Sequence, residues 1–148
     1  MIALIQRVSA ASVDVDGARI AQIGKGVLAL VGVERGDSAA EAARLAERVL
    51  AYRIFADAQG KMNLSLRDIG GELLAVPQFT LAADTHKGTR AGFSSAAASD
   101  VARSLFDGLV ELARRRHADV ATGEFGAHMR VSLVNDGPVT FWLEAAQE

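Results

Sequence analysis

Residues 26–33 read "GVLALVGV", an almost unbroken apolar run punctuated by glycines at 24, 26, 32 and 36. A strand with one face in water alternates apolar and polar residues, so this run belongs to a buried strand. Its upstream neighbour, "ASVDVDGARIAQIG" (11–24), does alternate, with Val13 and Val15 before Asp16-Gly17 and Ile20 and Ile23 after it. Asp-Gly between two alternating runs predicts a hairpin with a two-residue turn. Downstream, Ser38 is placed to cap a helix through "AAEAARLAERVLAYR" (39–53), with Glu41 completing a capping box. Ala42, Leu45, Ala46 and Val49 form its apolar stripe.

The rest of the chain continues this mixture. "IFADAQGKMNLSLRDIGGE" (54–72) reads as a strand end and a polar loop, and "ELLAVPQFTL" (72–81) as a strand interrupted by Pro77. "AADTHKGTRAGFSSAA" (82–97) is a long loop of small and polar residues, a kind often functional in compact domains. A second helix is expected over Ser99–His117, with Val101, Leu105, Leu109 and Leu112 at helical spacing. Its terminal "RRRH" puts cations where the helix dipole favours them, a simpler account than a nucleic-acid patch. Short strands follow near 119–122, 128–135 and 139–145, the last two separated by a turn at Asn135-Asp136-Gly137-Pro138. The order predicts an α/β fold: a single compact domain over 1–148, with helices layered on β-sheets.

Composition narrows the function. The 148 residues carry 16 basic and 18 acidic side chains, a net charge of −2, so the whole molecule does not look like a nucleic-acid binder. The absence of cysteine excludes disulfides, thiolate metal sites and a cysteine nucleophile. It fits a cytoplasmic location, as does the lack of a signal-peptide pattern or an apolar stretch long enough for a membrane helix. His86, His117 and His128 are scattered without metal-ligand spacing, so neither a metal nor a cofactor is expected. There is no G-x-S-x-G elbow, no P-loop and no marked pair of carboxylates.

What remains is "VPQFTLAADTHKGTRAGF" (76–93) and "GEFGAHMRVSLVNDGPVT" (123–140). In a strand, Gln78 and Thr80 would share one face and Phe79 and Leu81 the other. The polar pair either faces solvent or holds a small polar substrate. Thr80 without a neighbouring base is a weak nucleophile, but a plausible orienting group.

These two stretches, together with "IQRVSAASV" and "GKMNLS", resemble the D-aminoacyl-tRNA deacylase family over essentially the whole chain. The resemblance implies hydrolysis of the ester joining a D-amino acid to the terminal ribose of tRNA, with glycyl-tRNA as a further substrate. It implies a homodimer in which Gly137-Pro138, joined by a cis peptide bond, enters the partner's active site. There its main-chain carbonyls would meet an L-side chain and spare a D-amino acid. The family's Ser-Gln-Phe-Thr block falls on Pro77, Gln78, Phe79 and Thr80, so proline replaces serine at the first position. The same resemblance implies an oxyanion-stabilising backbone at Phe79 and Thr80, a substrate pocket at Phe125 and Met129 that takes the adenine, and an Arg7 that orients Gly137-Pro138. Lys87, Arg90 and the arginines at 114–116 are candidate tRNA contacts through phosphate. An aminoacyl ester is already activated, and preorganised backbone donors stabilise its oxyanion by roughly 3–4 kcal/mol each. The ribose 2′-hydroxyl beside the ester is then the expected aid to the attacking water.

Overall fold

Fourteen consecutive residues, Ile2–Val15, form β1, the strand on which most of the sheet is assembled. The computed structural model describes residues 1–148. Along one side of β1 run β2 (Ala18–Ile23) and β3 (Gly26–Gly32), both antiparallel to it. Asp16 and Gly17, with φ of 51° and 78°, close the β1–β2 hairpin. Two positive φ values are the mark of a type I′ turn, whose twist suits the flanking strands.

β3 pairs in parallel with β6 (Glu72–Pro77), and β6 in parallel with β7 (Val120–Thr122), giving the order β2-β1-β3-β6-β7. Gly26 lies opposite Glu72, where a Cβ would run into the Glu72 carbonyl, so the two strands meet there only because residue 26 has no side chain. The helices are α1 (Ala39–Ala51), the single-turn α2 (Leu66–Ile69) and α3 (Ser99–Arg116).

The apolar run in β3 is covered on both faces, as its composition predicts. Val27, Ala29 and Val31 join a core shared with α1 and α3, in which Leu45, Val49 and Phe106 are buried. Leu28 points the other way, into a smaller core with Val8, Val13, Ile23, Leu74 and Val76. The second core is enclosed by β1, β2, β3 and β6, with Val131 and Met129 packed at its border.

Three expectations need correction. Residues 54–72 are not simply a strand end and loop: Phe55–Ala56 (β4) and Met62–Leu64 (β5) pair as a small hairpin before α2. Its Asp57 carboxylate accepts from the N–H groups of Gln59 and Lys61 and from the Asn63 amide, a closure too local to leave a hydrophobic pattern. On α3 the buried face is Ala102, Phe106, Leu109, Val110 and Ala113, so Val101 is exposed and the true stripe is rotated from the one expected. Finally, the two C-terminal strands are one. β8 runs unbroken from Arg130 to Glu144, and both of its halves pair antiparallel with β1. Asn135–Pro138 is therefore no turn between neighbouring strands but an excess of chain within one of them.

α1 begins as predicted. Ser38 accepts from Ala40 N–H, and the Glu41 carboxylate accepts from Ser38 N–H at 2.7 Å and from its hydroxyl. The Ser38 hydroxyl and N–H bonds hold the Glu41 carboxyl down at about 2, against an ordinary value of 4.5. A carboxyl that titrates lower in the fold than in the unfolded chain stabilises the fold above its unfolded pKa and loses that contribution as pH falls through the folded one. Glu41→Gln should therefore flatten the decline in thermal midpoint between pH 4.5 and about 2. Calorimetry across that range checks this; an acid limb identical to that of the parent chain would refute it.

Candidate active site

At its C-terminal end β6 passes into a short 3-10 turn, Phe79–Ala82, instead of continuing to Leu81 as a strand. Gln78 N–H donates to the Val31 carbonyl at 2.7 Å, the last bond of the ladder with β3. Leu81 N–H then bonds back to the Gln78 carbonyl at 3.2 Å and closes the turn. The Phe79 and Thr80 N–H groups precede that first bond, and no side chain caps them. The strand alternation expected for 78–81 is thus replaced by a turn in which Gln78 Nε2 donates to Thr80 Oγ1 at 2.5 Å.

Pro77 stands at the end of the β6–β7 ladder. In β6 the N–H groups of odd residues face β7, as Leu73 shows by donating to Asp119 at 2.8 Å, whereas that of Gln78 faces β3. Gly123 N–H still donates to the Ala75 carbonyl at 2.9 Å, and the ladder with β7 stops at Pro77, which has no N–H to continue it.

A cavity of about 940 Å³ opens beside this turn, bordered by Pro77, Gln78, Phe79, Phe125, His128 and Met129 among others. The structure therefore brings together four of the residues proposed from sequence: Gln78, Phe79, Phe125 and Met129. Thr80 is held beside them by Gln78 but does not itself form part of the wall. Lys87 and Arg90 are exposed on the 82–97 loop and lie outside the cavity. Phe79 is 62% exposed and rests tilted against Phe93 with ring centroids 5.5 Å apart, a partner the sequence did not single out. Gly123 keeps the wall thin, because a Cβ there would approach Met129 Sδ to 2.7 Å.

The chain does contain one histidine–carboxylate pair. His86 Nδ1 lies 2.7 Å from Asp84, and the His86 N–H and ring hold the Asp84 carboxyl below the usual carboxylate range. Both residues are on the exposed loop and neither borders the cavity. His128 is on the wall but exposed to solvent. The polar equipment nearest the turn is thus main-chain N–H, an amide and a hydroxyl.

Gly137, Pro138 and Arg7 lie elsewhere, on the β1–β8 ladder, and none of them borders this cavity. Between the pairs Gln6↔Thr140 and Val8↔Asn135, two steps along β1 face five along β8, and the surplus bulges outward. The Gly137–Pro138 peptide bond is cis, and Gly137 has φ of 139°. A Cβ at Gly137 would crowd Val139 N at 2.9 Å and Arg7 Nη2 at 3.1 Å, so only glycine fits. Arg7 Nε donates to the Asp136 carbonyl at 2.9 Å and Nη1 to the Ile54 carbonyl at 2.8 Å. Asn135 clasps the base of the bulge: its Oδ1 accepts from Val139 N–H at 3.0 Å and its Nδ2 donates to Thr140 Oγ1 at 2.9 Å. As a turn residue Asn135 was unremarkable; only the bulge gives it two partners across the gap.

The frame is an α/β sheet with an open cavity at the C-terminal end of β6, bordered by Gln78 and Phe79. Its kind is specific: residues 4–144 match the family model described as D-Tyr-tRNA(Tyr) deacylase, and the chain belongs to that family. It is 67% identical over 144 residues to the D-aminoacyl-tRNA deacylase of Thioalkalivibrio sulfidiphilus, covering 97% of each chain. To that of Janthinobacterium sp. it is 62% identical, again over 97% of both. Among solved structures, the c-Myc DNA unwinding element binding protein superposes with a TM-score of 0.95 at 36% identity, over 99% of this chain and 100% of that one. A probable eukaryotic D-amino acid tRNA deacylase shares the fold, with a TM-score of 0.80 at 18% identity over 97% of this chain and 98% of its own.

The Asn135 clasp is directly measurable. In Asn135→Ala the Val139 amide loses its acceptor, and its hydrogen exchange should quicken by about tenfold, the worth of one net hydrogen bond. Unchanged exchange at Val139 would refute the clasp.

Proposed function

We propose that this chain hydrolyses the ester of D-aminoacyl-tRNA, releasing a free D-amino acid and tRNA, with residues 1–148 acting as one catalytic domain. The observation that carries the reading is the cavity bordered by Gln78, Phe79, Phe125 and Met129 beside a turn whose Phe79 and Thr80 N–H groups are uncapped, in a chain of this family. The two N–H groups receive the oxyanion that develops on the ester carbonyl, a stabilisation that needs no titrating side chain. Gln78 and Thr80, already bonded to each other, orient the substrate. The adenine of the terminal nucleotide packs on Phe125 and Met129.

Handedness is read by a second copy of the chain. β8 pairs only with β1, which leaves its other edge open, and Leu133, Val134 and Trp142 are exposed along it. An open edge of this length with apolar side chains is normally covered. A homodimer covers it and carries Gly137-Pro138 into the partner's cavity, where fixed carbonyls collide with an L-side chain and bind the amino group. Arg7 steadies the segment through its bond to the preceding Asp136 carbonyl. Glycine has no side chain to reject, so glycyl-tRNA mischarged on tRNA(Ala) is also a substrate. No histidine–carboxylate pair faces the cavity, which supports a reaction assisted by the ribose 2′-hydroxyl. Such a substrate places the enzyme in the cytoplasm; no helix is long and apolar enough to cross a membrane.

Deacylation of D- and L-tyrosyl-tRNA by the purified chain tests the reading. Hydrolysis of the D-ester with the L-ester spared is expected, and equal hydrolysis of both, or of neither, would overturn it. Thr80→Val keeps both main-chain donors and should lower kcat by about tenfold at most, the loss of one hydrogen bond. Trapping an acyl group on Thr80 of the parent enzyme would instead establish a covalent route.

A further inference from the structure

Phe125 borders two cavities. The second, a cleft of about 370 Å³ within the range of small-ligand sites, shares no other lining residue with the first. One wall is a single face of α3, on which Arg103, Asp107, Val110, Glu111 and Arg114 follow one another at helical spacing. The other wall is the segment from Thr122 to Phe125.

The charges in this cleft are unequally used. Of the three arginines that end α3, Arg115 is paired with Glu111 at 2.7 Å and Arg116 with Glu47 at 2.5 Å. Arg114 instead turns towards the cleft, and its one bond is a long 3.4 Å contact to the Val120 carbonyl. Arg103 forms no ion pair; its guanidinium lies 4.8 Å from the centre of the Phe125 ring. The Asp107 carboxylate, also unpaired, faces the same space. A cation at each end with a free carboxylate between them suits a nucleotide with an exocyclic amine: arginine meets phosphate oxygens, and a carboxylate accepts from cytosine N4. An aromatic ring shared with the adenine site makes the two cavities neighbours along one strand.

We infer that the Arg103–Asp107–Arg114 cleft is a subsite for the cytidine that precedes the terminal adenosine of the substrate, with the arginines on its flanking phosphates and Asp107 on its amine. The inference rests on the aminoacyl-tRNA reading above, since only a substrate extended beyond its terminal adenosine reaches the cleft. It makes the enzyme responsive to the single-stranded end of the RNA, and it uses three of four charged side chains that look like an ordinary solvated helix face.

Two non-hydrolysable probes separate the possibilities by calorimetry: 3′-(D-tyrosylamino)-adenosine, and the same group at the end of a C-C-A trinucleotide. The trinucleotide should bind the parent chain about five- to tenfold more tightly, the worth of one charge-assisted phosphate contact. Arg114→Ala, a helix-compatible change at an exposed position, should remove most of that gain and leave the nucleoside probe within about twofold. Asp107→Ala should narrow the preference for C-C-A over the same probe built on U-U-A. Equal affinity of the parent chain for both probes, or an Arg114→Ala loss of the same size on each, would overturn the subsite alone. Failure to bind either probe would overturn the aminoacyl-tRNA reading with it.

Discussion

The hydrogen-bond ladder along β1 is the constraint on which the rest of the molecule depends. One side of the strand is occupied in succession by β3 and β2, and the other along its length by β8. A strand paired on both sides fixes the register of every neighbour, because a slip by one residue would turn each buried side chain to the opposite face. Ile5 and Val8 cannot exchange cores: the first packs with the helices and the second with the enclosed cluster around Leu28 and Val76. β3 transmits that register to β6, and β6 ends where Gln78 N–H reaches Val31. The position of the Phe79–Ala82 turn is therefore set by a chain of pairings that begins at β1.

The same ladder forces the bulge. β8 must satisfy its pairing with β1 on both sides of Arg7, yet it brings surplus residues to the gap. The surplus has to leave the sheet, and Arg7, Asn135 and the open φ of Gly137 determine how it leaves. Arg7 also bonds the Ile54 carbonyl, so the bulge is anchored to the segment that follows α1. A projecting main-chain loop that would be mobile on a hairpin is here tied at its base by side chains from both strands.

Much of this was legible in the sequence where a local rule has only one outcome. Asp16-Gly17 between alternating runs, the Ser38–Glu41 box and the apolar run of β3 all appear as expected. The misreadings share a cause: the local chemistry was ambiguous and a distant partner decided it. Asn-Asp-Gly-Pro suits a turn and a bulge equally, and only pairing of both flanks with β1 separates them. Gln78–Leu81 alternates as a strand would, but the 3-10 turn that forms is too short to impose its own period. Val101 and Leu105 repeat at helical spacing, yet Phe106 and Ala102 are the residues opposite the core. For the site, residue spacing left Gln78 and Thr80 undecided. Phe125, Met129 and Arg7 entered through the family resemblance, and Asn135, Phe93 and Arg103 carried no sequence signal, because their significance lies wholly in what they touch.

The N–H groups that open the Phe79–Ala82 turn belong to the main chain, and so they are indifferent to which side chains stand above them. A substitution at 79 or 80 that leaves the turn intact leaves both donors where they were. Mutation can thus change the size and polarity of the side chains at this turn without removing its main-chain donors. Proline alone, by deleting the donor itself, is barred from both positions on chemical grounds. Pro77, one ladder position earlier, shows how narrow that prohibition is. Such an arrangement confers robustness: composition around the turn can drift while its main-chain donors persist, written into the backbone and not into the genetic code's choice of side chain.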